Sequence, residues 1–234
     1  MTELIAKLLI LSVFWGVIAP TSWAAPHHVE SEVPALAPGY RPLGFELPEV
    51  GSYERPIIGY ASDGVVIDSQ GKQTTLHALM RNKVTLLSFM YASCSDVNGC
   101  PLASYVLNRV MQQVTTDPRL SKQVQLLSLS FDRLNDTPEV LATYAARFEA
   151  QNSDNWRFLT AKSDVGLDQM LNRYNQFVIT DVDANGKPVG TLSHLLRVYL
   201  VDQRQNIREV YSVSFLHPDI LIQDILTVFA STES

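Results

Sequence analysis

The feature that most constrains the fold is a nearly unbroken apolar run from Val84 to Tyr91. Charged residues precede this run, and small polar residues follow it. An apolar run of this length without alternation is typical of a strand buried on both faces, as in the middle of a parallel or mixed sheet. The run therefore predicts an α/β protein whose central sheet is covered on both sides.

Strand and helix patterns alternate on either side of this run. Before it, the segments 65–67 and 73–75 flank a polar turn and indicate a β-hairpin, followed by a short helical turn at 77–80. The later elements are predicted as helices at 101–114, 137–149, 163–174 and 218–229, and as strands at 124–129, 156–159, 195–201 and 207–212. This order predicts a thioredoxin-like three-layer sandwich with a central mixed sheet and an extra N-terminal β-hairpin.

The amino-terminal end differs in composition from the rest of the chain. Residues 1–25 combine weak positive charge, an apolar stretch and small residues at the expected cleavage site, the pattern of a signal peptide. The alternative is an uncleaved membrane tether, although the apolar stretch is shorter than the roughly 20 residues that span a bilayer. Residues 26–56 hold six prolines and three glycines and predict an extended lead-in, and 57–234 form the thioredoxin-like domain. We therefore expect a periplasmic protein.

The charge of the chain argues against one class of partner. The formal net charge is −6 at pH 7, and no run of lysine and arginine interrupts the sequence. Nucleic-acid binding depends on basic side chains that neutralise phosphates. Nucleic acid is therefore excluded as an expected partner.

The chain has two cysteines, Cys94 and Cys100. An even cysteine count in an exported protein often means a structural disulfide. These two, however, lie between the buried strand and a helix that Pro101 starts, at the carboxyl edge of the sheet where α/β proteins bind ligands. The Asn98-Gly99 turn can bring the sulfurs together. The helix N-terminus is expected to lower the pKa of Cys100.

The cysteine loop and the segments after it match a known pattern. Cys94-Ser95-Asp96-Val97 and Cys100-Pro101 match the two halves of a Cys-Pro-Asp-Val-Cys-Pro-like loop, with Asn98-Gly99 inserted between them. Further matches lie at 127–132, 136–141, 156–160, 193–194 and 197–202. On these residues the chain resembles the Sco/SenC family of exported copper chaperones, and the likeness covers roughly residues 57 to 230.

The resemblance implies a copper site and its partners. In that family both cysteines and one histidine before the late strand bind copper, which implies Cys94, Cys100 and His194 here. It implies a copper ion as the bound metal and a copper-receiving membrane or exported protein, such as an oxidase copper subunit, as the partner. A thioredoxin-like reductant that keeps the thiols reduced is a second implied partner.

The position of His194 favours it independently among the five histidines. It precedes a late strand, and that end of the strand is expected at the sheet edge facing the cysteine loop. The other histidines are predicted in the lead-in, in a short surface helix and at the cap of the last helix: His27, His28, His77 and His217. Two thiolates and an imidazole suit copper, Cu(I) especially, and can also hold Zn²⁺.

The acidic residues give no second site. Asp181, Asp183 and Asn185 resemble part of a calcium loop without its closing glutamate, so a polar hairpin turn is predicted there. Asp132 and Asp136 are predicted to serve as turn and pre-helix residues.

Three functions remain open at this point. The first is the copper-binding metallochaperone. The second is a thiol–disulfide oxidoreductase in which one cysteine attacks a partner's disulfide and the other resolves the mixed disulfide. The third is a binding module in which Cys94 and Cys100 form only a structural disulfide. The sequence does not rank the two cysteines as attacking thiols.

Overall fold

The structure, a computed structural model, describes residues 35–148 and 155–232. The predicted signal peptide, the histidines at 27 and 28, and the predicted helix end at 149 lie outside the described residues. None of the helices in the described ranges combines the length and the apolar character that a bilayer crossing requires.

The centre of the protein is an eight-stranded mixed sheet. Its strands are β1 (Gly59–Tyr60), β2 (Val65–Asp68), β3 (Gln73–Thr75), β4 (Val84–Met90), β5 (Val124–Ser130), β6 (Trp156–Ala161), β9 (Val198–Val201) and β10 (Asn206–Tyr211). Their order across the sheet is β1-β10-β9-β4-β5-β6-β2-β3. The strands β4, β5 and β6 run parallel, and the strands beyond them on either side pair antiparallel. A separate two-stranded sheet consists of β7 (Val178–Val182) and β8 (Pro188–His194).

Helices cover both faces of the large sheet. Their bounds are α1 (Leu76–Met80), α2 (Cys100–Thr116), α3 (Leu120–Gln123), α4 (Pro138–Ala146), α5 (Asp164–Arg173) and α6 (Pro218–Thr232). On one face α2 packs against α6 and α4, where the hydroxyl oxygens of Ser104 and Tyr144 lie 2.8 Å apart. On the other face Tyr174, at the end of α5, packs against Phe89 of β4 at a ring-centroid distance of 5.3 Å. The predicted three-layer thioredoxin-like arrangement is confirmed.

The core follows from two sequence patterns. Every residue of β4 and of β5 is buried, as the unbroken apolar runs predict for central strands. The apolar stripe of α2 also faces inward, and its members are all buried: Leu102, Val106, Leu107, Val110 and Val114. The helices α4 and α5 begin at the predicted caps, where Thr137 and Ser163 accept hydrogen bonds from the backbone N–H of the third helical residue, Val140 and Gly166.

The segment before the late strand differs from the prediction. The strand was expected from residue 195 but begins at Val198, and Leu195 is exposed. The residues before it form β7 and β8, joined by the predicted polar turn, in which Asp183 accepts hydrogen bonds from the backbone of Asn185 and Lys187. These two strands escape sequence analysis because most of their residues are solvent-exposed and show no apolar alternation.

The described part of the lead-in packs onto the domain. Residues 35–58 contain a single 3-10 turn, Pro38–Tyr40, and no other helix or strand. Near its end, Arg55 forms an ion pair with the buried carboxylate of Asp224 at 2.7 Å, and Tyr53 donates to the same carboxylate at 2.5 Å. Tyr211 donates to it at 2.7 Å from β10. This cluster joins the lead-in to α6 and to the sheet.

Candidate metal centre

The two cysteines lie together at the carboxyl end of β4. Cys94 is half-buried in the loop after the strand, and Cys100 is fully buried as the first residue of α2. Both are free thiols, and their side chains share a hydrogen bond. The Asn98-Gly99 turn therefore brings the sulfurs into contact, as the sequence predicted.

The two thiols differ in acidity. The Cys100 thiol donates to Cys94 and, together with the backbone N–H groups of Cys100 and Asp96 and the Tyr91 hydroxyl, lowers the pKa of Cys94 to about 6 against the effect of burial. Cys94 is thus a thiolate at neutral pH. The hydrogen bond to Cys94, followed by burial, raises the pKa of Cys100 well above its ordinary value.

This result corrects the expectation that the helix N-terminus lowers the pKa of Cys100. The first backbone N–H of α2, that of Cys100 itself, donates to the Cys94 sulfur. The helix end therefore stabilises the thiolate of the other cysteine. Cys100 has no contact with water and lies beside a negative sulfur, and both conditions favour its protonated form.

Tyr91 connects the cysteines to the β7–β8 hairpin. Its hydroxyl oxygen accepts a hydrogen bond from the backbone N–H of Leu192 in β8 at 3.3 Å, while its proton is donated to Cys94. Its ring packs against Phe131 at 5.3 Å between centroids, and Phe131 packs against the imidazole of His194 at 4.6 Å. Sequence analysis assigned no role to Tyr91, because a tyrosine at the end of a buried strand has the same pattern as a core residue.

His194, the last residue of β8, faces the cysteine loop. Burial lowers its pKa, so the imidazole is neutral at pH 7, and the Asp96 carboxylate of the cysteine loop has a smaller opposite effect. The carbonyl of Phe89 hydrogen-bonds the ring, while Nε2 is buried and has no hydrogen-bond partner in the described part of the chain. We assign the Phe89 contact to Nδ1 for that reason. An imidazole held through one nitrogen with the other free has the arrangement of a metal ligand.

The three predicted ligands are not assembled into one metal-binding cluster. Among residues 35–148 and 155–232, no group of three His, Cys, Asp or Glu side chains lies close enough to hold an ion. The structure brings Cys94 and Cys100 into contact and leaves His194 on the neighbouring hairpin. The donor set still fits copper, since it offers a thiolate, a second sulfur and a neutral imidazole with an unpartnered nitrogen.

Asp136 contacts the start of the cysteine loop. It is buried, and its carboxylate accepts hydrogen bonds from the backbone N–H of Ala92 at 2.9 Å and from Ser130 at 2.6 Å. Burial raises its pKa. The sequence predicted only a pre-helix role for this residue, and its position before Thr137-Pro138 gave no sign of the contact with Ala92.

Two other described histidines have structural partners. Nε2 of His77 lies 2.8 Å from the Ala61 carbonyl. Nδ1 of His217 accepts the Asp219 backbone N–H at the start of α6, as predicted for a capping residue, and Nε2 lies 2.8 Å from the Arg41 carbonyl. Neither histidine belongs to the cysteine site.

Comparison with known proteins gives one consistent family. The model of the SCO1/SenC family matches residues 62–230. A curated SCO1 protein homolog from Bacillus subtilis is 23% identical over 159 residues, which cover 68% of this chain and 77% of that protein.

Solved structures show the same fold. Arabidopsis thaliana ScoI with copper bound superposes with a TM-score of 0.61 at 18% identity, over 74% of this chain and 99% of that one. BsSco, described with a disulfide switch and as a member of the Sco family of cytochrome c oxidase assembly proteins, has a TM-score of 0.58 at 22% identity. That match covers 75% of this chain and 96% of BsSco.

Proposed function

Since the chain belongs to the SCO1/SenC family, we propose that it is a copper-binding metallochaperone that supplies an oxidase copper subunit or a similar exported or membrane protein. One observation carries the proposal. A thiolate–thiol pair lies at the sheet edge, and the neighbouring β7–β8 hairpin carries a half-buried neutral imidazole, His194, whose buried Nε2 has no hydrogen-bond partner among the described residues. The copper-bound and oxidase-assembly relatives support the same function.

We propose that Cys94, Cys100 and His194 bind the copper ion. Cys94 is already deprotonated at neutral pH, whereas Cys100 releases its proton when the metal binds. Phe89 holds the His194 ring through its carbonyl, which leaves Nε2, a buried atom with no hydrogen-bond partner among the described residues, available to the metal. Because these groups do not yet form a cluster, copper binding requires the β7–β8 hairpin and the cysteine loop to approach each other.

The proposed setting is the periplasm, after removal of the signal peptide at 1–25, with an uncleaved membrane tether as the alternative. In an oxidising compartment the pair requires a reductant before it can bind metal, and a thioredoxin-like protein has the right chemistry. Soft sulfur ligands favour Cu(I).

Copper loading tests the proposal. The reduced protein is incubated anaerobically with Cu(I), excess metal is removed, and bound copper per chain is measured for wild type, Cys94→Ser, Cys100→Ser and His194→Ala. We expect stoichiometric copper in the wild type and a large loss in each variant. His77→Ala is the matched control, since this imidazole hydrogen-bonds a backbone carbonyl outside the site. A wild type that binds no copper contradicts the proposal.

The acidity difference favours a second candidate, a thiol–disulfide oxidoreductase. The Cys94 thiolate attacks one sulfur of a partner's disulfide, and the partner's other sulfur leaves as a thiolate. Cys100 then loses its proton and attacks the Cys94 sulfur of the mixed disulfide. The products are a Cys94–Cys100 disulfide and a reduced partner.

Trapping distinguishes this candidate. Cys100→Ser should accumulate a mixed disulfide with a disulfide substrate, and Cys94→Ser should not. If the wild type reduces the substrate but binds no copper, the oxidoreductase is the function. If it does neither and the thiols stay oxidised under reducing conditions, the pair is a structural disulfide in a binding module.

A further inference from the structure

The lead-in contacts Asn98, which lies in the turn between the two cysteines. Oδ1 of Asn98 accepts a hydrogen bond from the backbone N–H of Ala37 at 2.8 Å, and Nδ2 donates to the carbonyl of Ala35 at 2.9 Å. Both ends of the side-chain amide are thus paired with the backbone of a segment about sixty residues away in sequence. The pairing resembles that of one strand with another.

The lead-in is itself firmly supported at this point. The hydroxyl of Tyr40 donates to the Val97 carbonyl at 2.6 Å, and its ring packs against Tyr105 of α2 at 5.0 Å between centroids. At Gly39 the backbone approaches the Leu216 carbonyl so closely that a Cβ would lie 2.2 Å from the oxygen. Asn98 is therefore tied to a segment packed on the domain.

The loop conformation links Asn98 to the sulfurs. The backbone N–H of Asn98 donates to the Asp96 carboxylate at 3.0 Å, and that of Gly99 donates to the Asp96 carbonyl at 2.9 Å. The backbone N–H groups on either side of this turn, at Asp96 and Cys100, point at the Cys94 sulfur. A shift of Asn98 would therefore move both donors relative to that sulfur.

We propose that Asn98 is a positioning residue whose two hydrogen bonds to Ala35 and Ala37 hold the loop in the conformation that keeps the Cys94 and Cys100 sulfurs together. The inference rests on the proposed role of the cysteine pair in binding and redox chemistry. The resemblance to the family motif implies that Asn98-Gly99 is an insertion that lengthens the loop, and a longer free loop brings its ends together less readily. The two hydrogen bonds that join Asn98 to Ala35 and Ala37, which we call the clamp, offset this loss.

The test is the equilibrium between the dithiol and the Cys94–Cys100 disulfide, measured in glutathione buffers at one pH. Removing the clamp lowers the effective concentration of one thiol at the other, so Asn98→Ala should reduce the equilibrium constant for disulfide formation about fivefold. This corresponds to a reduction potential about 20 mV less negative. Asn98→Asp keeps the acceptor for Ala37 but loses the donor to Ala35, and should give an intermediate value.

Tyr53→Phe is the matched control. It removes a hydrogen bond that anchors the same lead-in, but at Asp224, away from the cysteines. The reduction potential of the Cys94–Cys100 pair in Tyr53→Phe should equal that of the wild type, even if the melting temperature falls as much as in Asn98→Ala. An unchanged potential in folded Asn98→Ala, or an equal shift in Tyr53→Phe, overturns the proposal.

A second variant covers the case in which Asn98→Ala does not fold. Tyr40→Phe deletes only the hydroxyl that bonds the Val97 carbonyl, and should shift the potential in the same direction. No shift in this folded variant also counts against the clamp. The redox titration uses copper-free protein. Its outcome for the clamp is therefore independent of whether the protein binds copper.

Discussion

The chemistry of single residues at this site depends on the direction of a few S–H, N–H and O–H bonds. The donors around Cys94 come from Cys100, Asp96 and Tyr91, and together they outweigh the cost of partial burial. At the Cys100 sulfur, the hydrogen bond to Cys94 and burial outweigh the backbone N–H groups of Tyr91 and Cys100, so one thiol ionises easily and the other does not. Sequence located both cysteines but not this difference, because the aim of a backbone N–H depends on the folded loop.

The pH dependence of Cys94 alkylation follows from this arrangement. Its pKa is lowered to about 6, so the iodoacetamide rate should stay high down to about pH 6 and fall below it as the thiolate is protonated. Site-specific mass spectrometry measures the rate at each cysteine. In Cys100→Ala the main donor is lost and the midpoint should move upward. A midpoint near that of an ordinary thiol in the wild type would contradict the account.

Tyr91→Phe tests a single hydroxyl. The variant keeps the ring packed against Phe131 but loses the hydrogen bond to Cys94. We expect the Cys94 pKa to rise by about half a unit to one unit, as the loss of one hydrogen bond predicts. The same alkylation profile measures it. Tyr105→Phe is the control, since this ring lies on α2 against Tyr40 and not at the sulfurs.

At the scale of elements, buried and exposed strands differ in how far sequence reveals them. The apolar runs at β4 and β5 were recognisable because both faces of each strand are buried. The strands β7 and β8 carry His194, yet their two-stranded sheet is largely exposed and shows no pattern to detect. His194 was thus found through its place in the chain order, and the turn between β7 and β8 was predicted, while the two strands themselves were not.

Substitutions in buried and in exposed strands should differ in their effect on the free energy of unfolding. Leu127 in β5 is fully buried, and Leu127→Ala should lower the free energy of unfolding by about 2–5 kcal/mol. Ile179 in β7 is 64% exposed, and Ile179→Ala should change it by less than about 0.5 kcal/mol. Urea denaturation measures both. Equal losses in the free energy of unfolding would contradict the exposed position of Ile179 in β7.

The attachment of the lead-in depends on a buried carboxylate. Arg55→Ala would leave Asp224 at the core without its cation, and should cost about 3 kcal/mol in the free energy of unfolding. Arg133 forms a solvent-exposed pair with Asp164, so Arg133→Ala should remain close to wild type. Urea denaturation curves give the free energy of unfolding of both variants. A stability of Arg55→Ala equal to that of Arg133→Ala would show that the lead-in adds little to the fold.

At the scale of the whole molecule, the site forms because three segments reach one edge of the sheet. The cysteine loop follows β4, Asp136 follows β5, and His194 ends the hairpin that precedes β9. The strand and helix order predicted that the cysteine loop and His194 reach this edge, where α/β sheets bind ligands, but it did not predict the part of Asp136. It did not predict that His194 stands apart from the sulfurs, because that separation depends on side-chain packing around Phe131 and Tyr91.

X-ray absorption spectroscopy of the reduced, copper-loaded protein identifies the atoms that bind the metal. We expect sulfur ligands from Cys94 and Cys100 and a nitrogen ligand from His194, with the nitrogen contribution lost in His194→Ala and retained in His77→Ala. A wild-type spectrum without sulfur ligands, or one unchanged in His194→Ala, would contradict this ligand set.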